Sequence, residues 1–351
     1  MDAPPLVMSP IVREWRCHQR GGCCRGHSVR LDAVEQRRIH RALVAAGDPR
    51  ADLMAEGRLA QDDGWRLLPT VGGACVFLDE GLCGLRRTDP RAAYPSVCQR
   101  FPYLSILTPD RHLLGLTLAC PTALQLFADE PAFEIVEEPG GEPPTDYVSW
   151  VAQPDRDYTL VDGRATDADS FWAAHWDWLA RLRRRPEADP VARVLAFAEE
   201  VTGQARPSAT PLSELLWARG PDDAALDALA AATGHRPSAL SFIWSRQPGD
   251  DYADRVVTSV DEAALLGRYL LHRMLVPPVY VARADLRVQL VTLLAVLVRW
   301  RAARARGKTP IDAARSCDRM IIHSPTIGAL AADLIDGRAG CRWRTLASLV
   351  A

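Results

Sequence analysis

Lysine is almost missing from this 351-residue chain: among 42 basic residues only Lys308 is not an arginine. An excess of either charge is missing too. The 42 basic residues face 44 acidic ones, a formal charge of −2, so no whole-chain field draws in nucleic acid or an anionic membrane. Met1-Asp2-Ala3-Pro4-Pro5 lacks the basic head and apolar run of a signal peptide. The most apolar stretch, Val288 to Val298, is too short to span a bilayer and is bracketed by Arg283, Arg287, Arg299 and Arg301. It reads as a buried helix. There is no P-loop, no Gly-x-Gly-x-x-Gly after a strand and no Gly-x-Ser-x-Gly elbow, which excludes the standard nucleotide cradles and the hydrolase nucleophile turn. The expected location is therefore the cytoplasm, where thiols stay reduced and structural disulfides are not expected.

What the chain does hold is cysteine, concentrated at one end. Seven of its nine cysteines precede residue 121: Cys17, Cys23, Cys24, Cys75, Cys83, Cys98 and Cys120. Thiolates are soft ligands for zinc, copper(I) and iron, and affinity grows with each one brought to a common point. One tetrahedral zinc or one [4Fe–4S] cubane uses four. The surplus allows a second metal, an open iron or simple packing. No single pair has zinc-finger spacing, so density is the signal. The bland alternative is that all seven are reduced core fillers. Cys317 and Cys341 lie singly in helical surroundings and are expected to be core residues, not ligands.

The expected fold is mainly α, with a loop-rich cysteine lobe of short helices and strands (1–128) packed on a helical C-terminal half (166–351). A Pro/Gly-rich connection with short strands (129–165) joins them. Residues 6–16 read as a short extended lead-in that delivers Trp15 and Cys17. Asp32 and Glu35 have the spacing of a capping box, Gly47-Asp48-Pro49 ends that helix, and a short helix is expected around 50–60. Trp65–Pro69 reads as a strand. From Gly72 the prolines at 90, 95, 102, 109 and 121 forbid a long helix, so mostly loop is expected there. Pro121 can open a helix over 122–127. Further helices are expected at 168–184, 190–203, 211–218, 222–233, 260–275, 283–306, 310–322 and 326–336, that at 283–306 being central.

These residues carry a resemblance. Trp15-Arg16-Cys17…Cys23-Cys24, Cys75-Val76-Phe77-Leu78…Leu82-Cys83 and Tyr94-Pro95…Cys98-Gln99-Arg100-Phe101-Pro102 are similar to the YkgJ cysteine-cluster family, described as zinc- or iron-chelating. Leu118-Ala119-Cys120-Pro121-Thr122-Ala123, Gly267-Arg268-Tyr269-Leu270-Leu271 and Ser316-Cys317-Asp318-Arg319-Met320-Ile321-Ile322-His323 resemble segments of FliB, the flagellin lysine-N-methylase family. The chain departs from that pattern at Arg20, where another cysteine is usual; His18 is one substitute. The resemblance implies an iron–sulfur or zinc centre, a protein lysine N-methyltransferase activity and a protein substrate presenting lysine. S-adenosylmethionine would then bind outside any standard fold, an iron with only three thiolates being one place for its amino and carboxylate groups. Arg319 and His323, four apart on one helix face, become catalytic candidates: a cation for a carboxylate and a base for an incoming amine. Their bland reading is a capping or buried polar pair. His18 and His27 flank the cysteine pair as further ligand candidates, and Arg100 reads as a salt-bridge residue or an anion holder. The second function class is a non-catalytic zinc-binding structural or interaction module. No nucleic-acid or membrane partner is expected, and the residues set no oligomeric state.

Overall fold

The computed structural model describes residues 3–18, 21–25, 29–62, 65–88, 94–144, 150–152, 157–186, 188–203, 261–277 and 285–323. The expected helices at 211–218, 222–233 and 326–336, with Cys341 and His27, lie outside the described residues.

Leu6–Met8 form strand β1, buried throughout, and Ile11–Glu14 form a single helical turn, α1. The lead-in is thus only half extended, because Pro10 takes a helical φ of −50° and starts the turn. Arg30–Leu31 (β2) precedes α2, Ala33–Ala45, where the Asp32 carboxylate accepts from Glu35 N at 2.7 Å and Glu35 returns to Asp32 N. The capping box satisfies two orphan N–H groups. The short helix expected at 50–60 is instead a 3-10 segment over Pro49–Met54, started by the Asp48 side chain. Short ladders follow: β3 (Gln61–Asp62) and β2 pair with β4 (Trp65–Leu67), β5 (Thr70–Val71) pairs with β6 (Ala74–Cys75), and β7 (Leu78–Asp79) pairs with β8 (Leu82–Cys83). Two short helices, α3 (Gly84–Thr88) and α4 (Ser96–Arg100), complete this region. Its core is a small cluster around Leu31, Ile39, Leu43, Met54, Phe77 and Leu85.

The largest correction falls on residues 103–116, expected as loop. They form a hairpin, β9 (Tyr103–Leu107) and β10 (His112–Leu116), turning at Thr108 to Arg111. Pro109 sits in the turn, where it needs no ladder hydrogen bond. This hairpin is the centre of a five-stranded sheet. β1 runs parallel beside β10, β11 (Val136–Glu138) covers β1, and β12 (Trp150–Val151) covers β9. Between them Pro121 opens α5, Pro121–Asp129. A two-stranded ladder, β13 (Tyr158–Thr159) with β14 (Ala165–Thr166), leads into the helices.

Those helices are α6 (Ala168–Arg184), α7 (Pro190–Thr202), α8 (Glu262–Leu275), α9 (Leu286–Ala305) and α10 (Pro310–His323). The fold is mainly helical. A single large hydrophobic cluster runs from Leu6 through β9, β10 and α5 to Cys317, crossing the expected boundaries at 128 and 165. Buried polar pairs lock the helices: His175 on Gln289 at 2.9 Å, and the Arg299 guanidinium on Ser316 Oγ at 2.8 Å. Among the described residues no helix is long and apolar enough to cross a membrane.

Candidate metal centre

Gly21 and Gly22 are required by close approach. Gly21 has φ +66°, and a side-chain carbon there would lie 2.6 Å from Gly81 O; one on Gly22 would lie 2.5 Å from Pro121 Cγ. The pair therefore lets one short turn, Gly22–Cys24, nest between the β7–β8 turn and the start of α5. Both neighbours carry cysteines. Cys83 ends β8, Cys75 ends β6, and Cys120 is the N-cap of α5. An isolated antiparallel bridge from Arg25 to Ala74 ties the turn to β6. Cys98 rides on α4, whose start is held by Glu35: its carboxylate accepts from Ser96 N at 2.9 Å. The acid that caps α2 thus also positions a cysteine 63 residues further on.

Cys23 Sγ and Cys24 Sγ are 4.0 Å apart. Of the two, Cys23 loses its proton first: the hydrogen bond from Cys24 lowers its pKa to about 7, with help from Arg315. The same bond, then burial, and then the charges of Cys23, Cys83 and Cys75, push the Cys24 thiol up. Burial pushes Cys75, Cys83, Cys98 and Cys120 up as well, and in each the Cys23 charge adds to the rise. Tyr94 is raised by burial and then by Cys98, Cys83, Cys23 and Cys24. Cys23 is thus near enough to make five other buried or half-buried thiols harder to ionise, although among the described residues no three of them stand together as a ligand set. Such a set is stable while protonated or around a cation, because a second thiolate meets both desolvation and like-charge repulsion.

The helical half reaches the basin around Cys23 through α10. Arg315, only 4% exposed, would have its Nη2 3.3 Å from a side-chain carbon on Gly22. One turn later Asp318, fully buried, accepts from Thr117 Oγ1 and Leu118 N, each at 2.6 Å, and from Tyr269 OH at 3.3 Å. Arg273 stands 3.3 Å from Asp318 and donates to Leu116 O at 2.8 Å. The segment leading to Cys120 is thus clamped by α8 and α10. The sequence does not point to Arg315 or Asp318 for this place; the one signal is that Asp318 belongs to the Ser316–His323 stretch that carries the resemblance, with Arg315 immediately before it.

The remaining candidates separate. Cys17 and His18 are exposed. Arg20 lies outside the described residues. Arg100 is half-buried at the end of α4. The backbone of Arg319 and His323 belongs to the last turns of α10, and their side chains lie outside what is described. Cys317 is buried against the Val296 carbonyl at 3.6 Å, a core position. The eight described cysteines are free thiols. Among the described residues no three His, Cys, Asp or Glu side chains stand together as a ready coordination shell. The basin therefore supplies donors of the right chemistry, soft thiols with a nearby cation, without a closed ligand set.

Compared with protein-family models, curated proteins and solved structures, the chain has no match.

Proposed function

We propose that the chain is a cytoplasmic protein binding a soft metal, an iron–sulfur cluster or zinc, through Cys23, Cys24, Cys75, Cys83, Cys98 and Cys120, with Cys17 joining from its exposed segment. One observation carries the reading: Gly21 and Gly22 seat the turn of Cys23 and Cys24 against the β7–β8 turn and the start of α5, which carry Cys83 and Cys120, and there Cys23 repels the thiolate forms of its neighbours. A bound cation reverses that repulsion, and metal binding then adds directly to folding free energy. An iron–sulfur cluster would supply an electron carrier or a Lewis-acidic iron; zinc would supply a staple. The residues of this chain do the rest. Gly21 and Gly22 bring the turn in, Glu35 aims α4, Asp318 fixes the approach to Cys120, and Arg315 offsets thiolate charge.

A lysine-directed methyl transfer rests on the resemblance to lysine-N-methylases, with Arg319 and His323 as the pair that would hold and deprotonate an amine. The zinc-staple reading has its own support. Cys75 and Cys83 pack on the smaller hydrophobic cluster while Cys120 belongs to the larger, so a metal between them joins the two cores. Anaerobic purification with metal analysis and a visible spectrum tests the centre. A sulfur-to-iron charge-transfer band supports the cluster, and a colourless zinc protein supports the staple. Full metal content in a Cys24→Ser, Cys83→Ser double variant contradicts both. Mass spectrometry of a lysine-bearing protein incubated with S-adenosylmethionine tests the transfer, and an unmethylated product sets that part aside.

A further inference from the structure

Trp15 is held from three sides just before Cys17. It closes the single turn α1, where its backbone N–H donates to Ile11 O at 3.1 Å, and its carbonyl accepts from Arg16 Nη1 at 2.7 Å. Its ring meets Tyr103 of β9 edge to face, with centroids 5.3 Å apart. The indole is a partly buried neighbour of the large hydrophobic cluster, the same cluster that holds Cys120. Packing alone would explain a tryptophan here. It does not explain the indole nitrogen, which is shielded from solvent and makes no hydrogen bond. A buried tryptophan N–H ordinarily has a partner, and one without calls for a reason.

The reason lies in the sulfur that this N–H faces. Burial pushes the Cys120 thiol up, while the N–H groups of Ala123, Trp15 and Thr122 act the other way. Cys120 is the N-cap of α5, but its side chain makes no capping hydrogen bond. Three N–H groups therefore approach one sulfur from two chain segments, and the indole among them has no other partner. A neutral thiol is a weak acceptor, whereas a sulfur carrying negative charge accepts shorter and stronger bonds. Such a cradle suits a metal-bound thiolate and does nothing for a core filler. The start of α5 also lies against the turn of Cys23, since a side-chain carbon on Gly22 would meet Pro121. We propose that the Trp15 indole N–H is an outer hydrogen-bond donor to the Cys120 sulfur of the metal centre, a positioning residue that orients this thiolate as a ligand. The inference rests on the metal reading. Outer donors of this kind strengthen metal binding, and around an iron–sulfur cluster they raise the reduction potential.

The test loads the full chain with zinc under anaerobic conditions and compares it with two variants. Trp15→Phe keeps a ring against Tyr103 and loses the N–H. Replacing Trp15 by β-(3-benzothienyl)alanine keeps the whole shape, with sulfur in place of the N–H. Both variants should bind zinc about tenfold more weakly than the native chain in competition with a chelator. Of the ten indole N–H signals of the native chain labelled with ¹⁵N, the one missing from Trp15→Phe should move downfield when zinc is added. Native zinc affinity in the benzothienyl variant overturns the proposal, because shape alone then suffices. A Trp15 signal that zinc leaves in place overturns it too. Where the chain takes up an iron–sulfur cluster and no zinc, both variants should lower the reduction potential, and an unchanged potential overturns the proposal. Each of these results leaves the metal reading standing. A native chain that takes up neither zinc nor a cluster overturns that reading and this one together.

Discussion

The region from Gly21 to Arg100 and the helices from α6 onward are held together by different means. The helices bury long apolar faces in one large cluster, with Trp172, Phe197, Tyr269 and Leu294 almost wholly inside. The cysteine region has ladders of two or three residues and, among its described residues, a core of nine buried apolar side chains, so it depends on specific joints: a capping box, an arginine between Asp48 and Asp79, two glycines that admit the Gly81 backbone and the Pro121 ring. Small cores are marginal without a cross-link. The difference teaches that a metal would add most to the cysteine region and least to the helices.

The sharpest way to break this comparison is at the joint itself. Asp318→Ala leaves Arg273, 3% exposed, as a buried charge without its carboxylate. The expected loss is about 3–5 kcal/mol in urea unfolding, with Asp318→Asn losing less. A loss below 1 kcal/mol would mean the two regions do not depend on that clamp.

Acid acts most strongly on the helical half. His175 is fully buried and burial lowers its pKa to about 4, partly offset by its bond to Gln289. The folded protein keeps it neutral while the unfolded chain takes up a proton below about 6.5. Stability therefore falls as pH drops from 6.5 to 4, by roughly 3 kcal/mol in total. His272, also lowered by burial, has the same sign. His175→Gln should flatten the slope; an unchanged profile would assign it elsewhere.

Several helices of both regions are legible in the sequence because their signals are local. Asp32 with Glu35, Pro121 at the start of α5 and the apolar spacing of α9 are read within one or two turns. The hairpin at 103–116 is missed because Tyr103–Leu107 and His112–Leu116 are short apolar runs that become strands only by pairing with each other and with β1. In the cysteine region, density points to the thiols and Gly21-Gly22 to a turn. That Arg315 and Asp318 close over it is not legible, since Asp318 meets Leu118 across 200 residues. Only the folded chain brings such groups together.

Smaller effects sharpen the picture of the basin. Gly22→Ala forces a methyl group to 2.5 Å from Pro121 Cγ and should cost about 1–3 kcal/mol together with metal retention. Gly47→Ala is the control: its φ is +66° but nothing lies within 4 Å, so only a backbone cost of roughly 1 kcal/mol is expected. Equal effects at both positions would remove the close-packing argument. Arg315→Met should act least on the fold. In metal-free protein it removes one of the influences that lower Cys23, so alkylation of Cys23 at neutral pH should slow several-fold, up to about tenfold. An unchanged rate would separate the guanidinium from the thiol.

The most direct measurement counts metal and reactive thiols in one anaerobic sample of the full chain, after reconstitution with iron and sulfide or with zinc. The account predicts bound metal with about four thiols protected from alkylation per centre, drawn from Cys23, Cys24, Cys75, Cys83, Cys98 and Cys120, while Cys317 stays unreactive with or without metal. A chain whose basin thiols all remain alkylatable in the presence of either metal contradicts it.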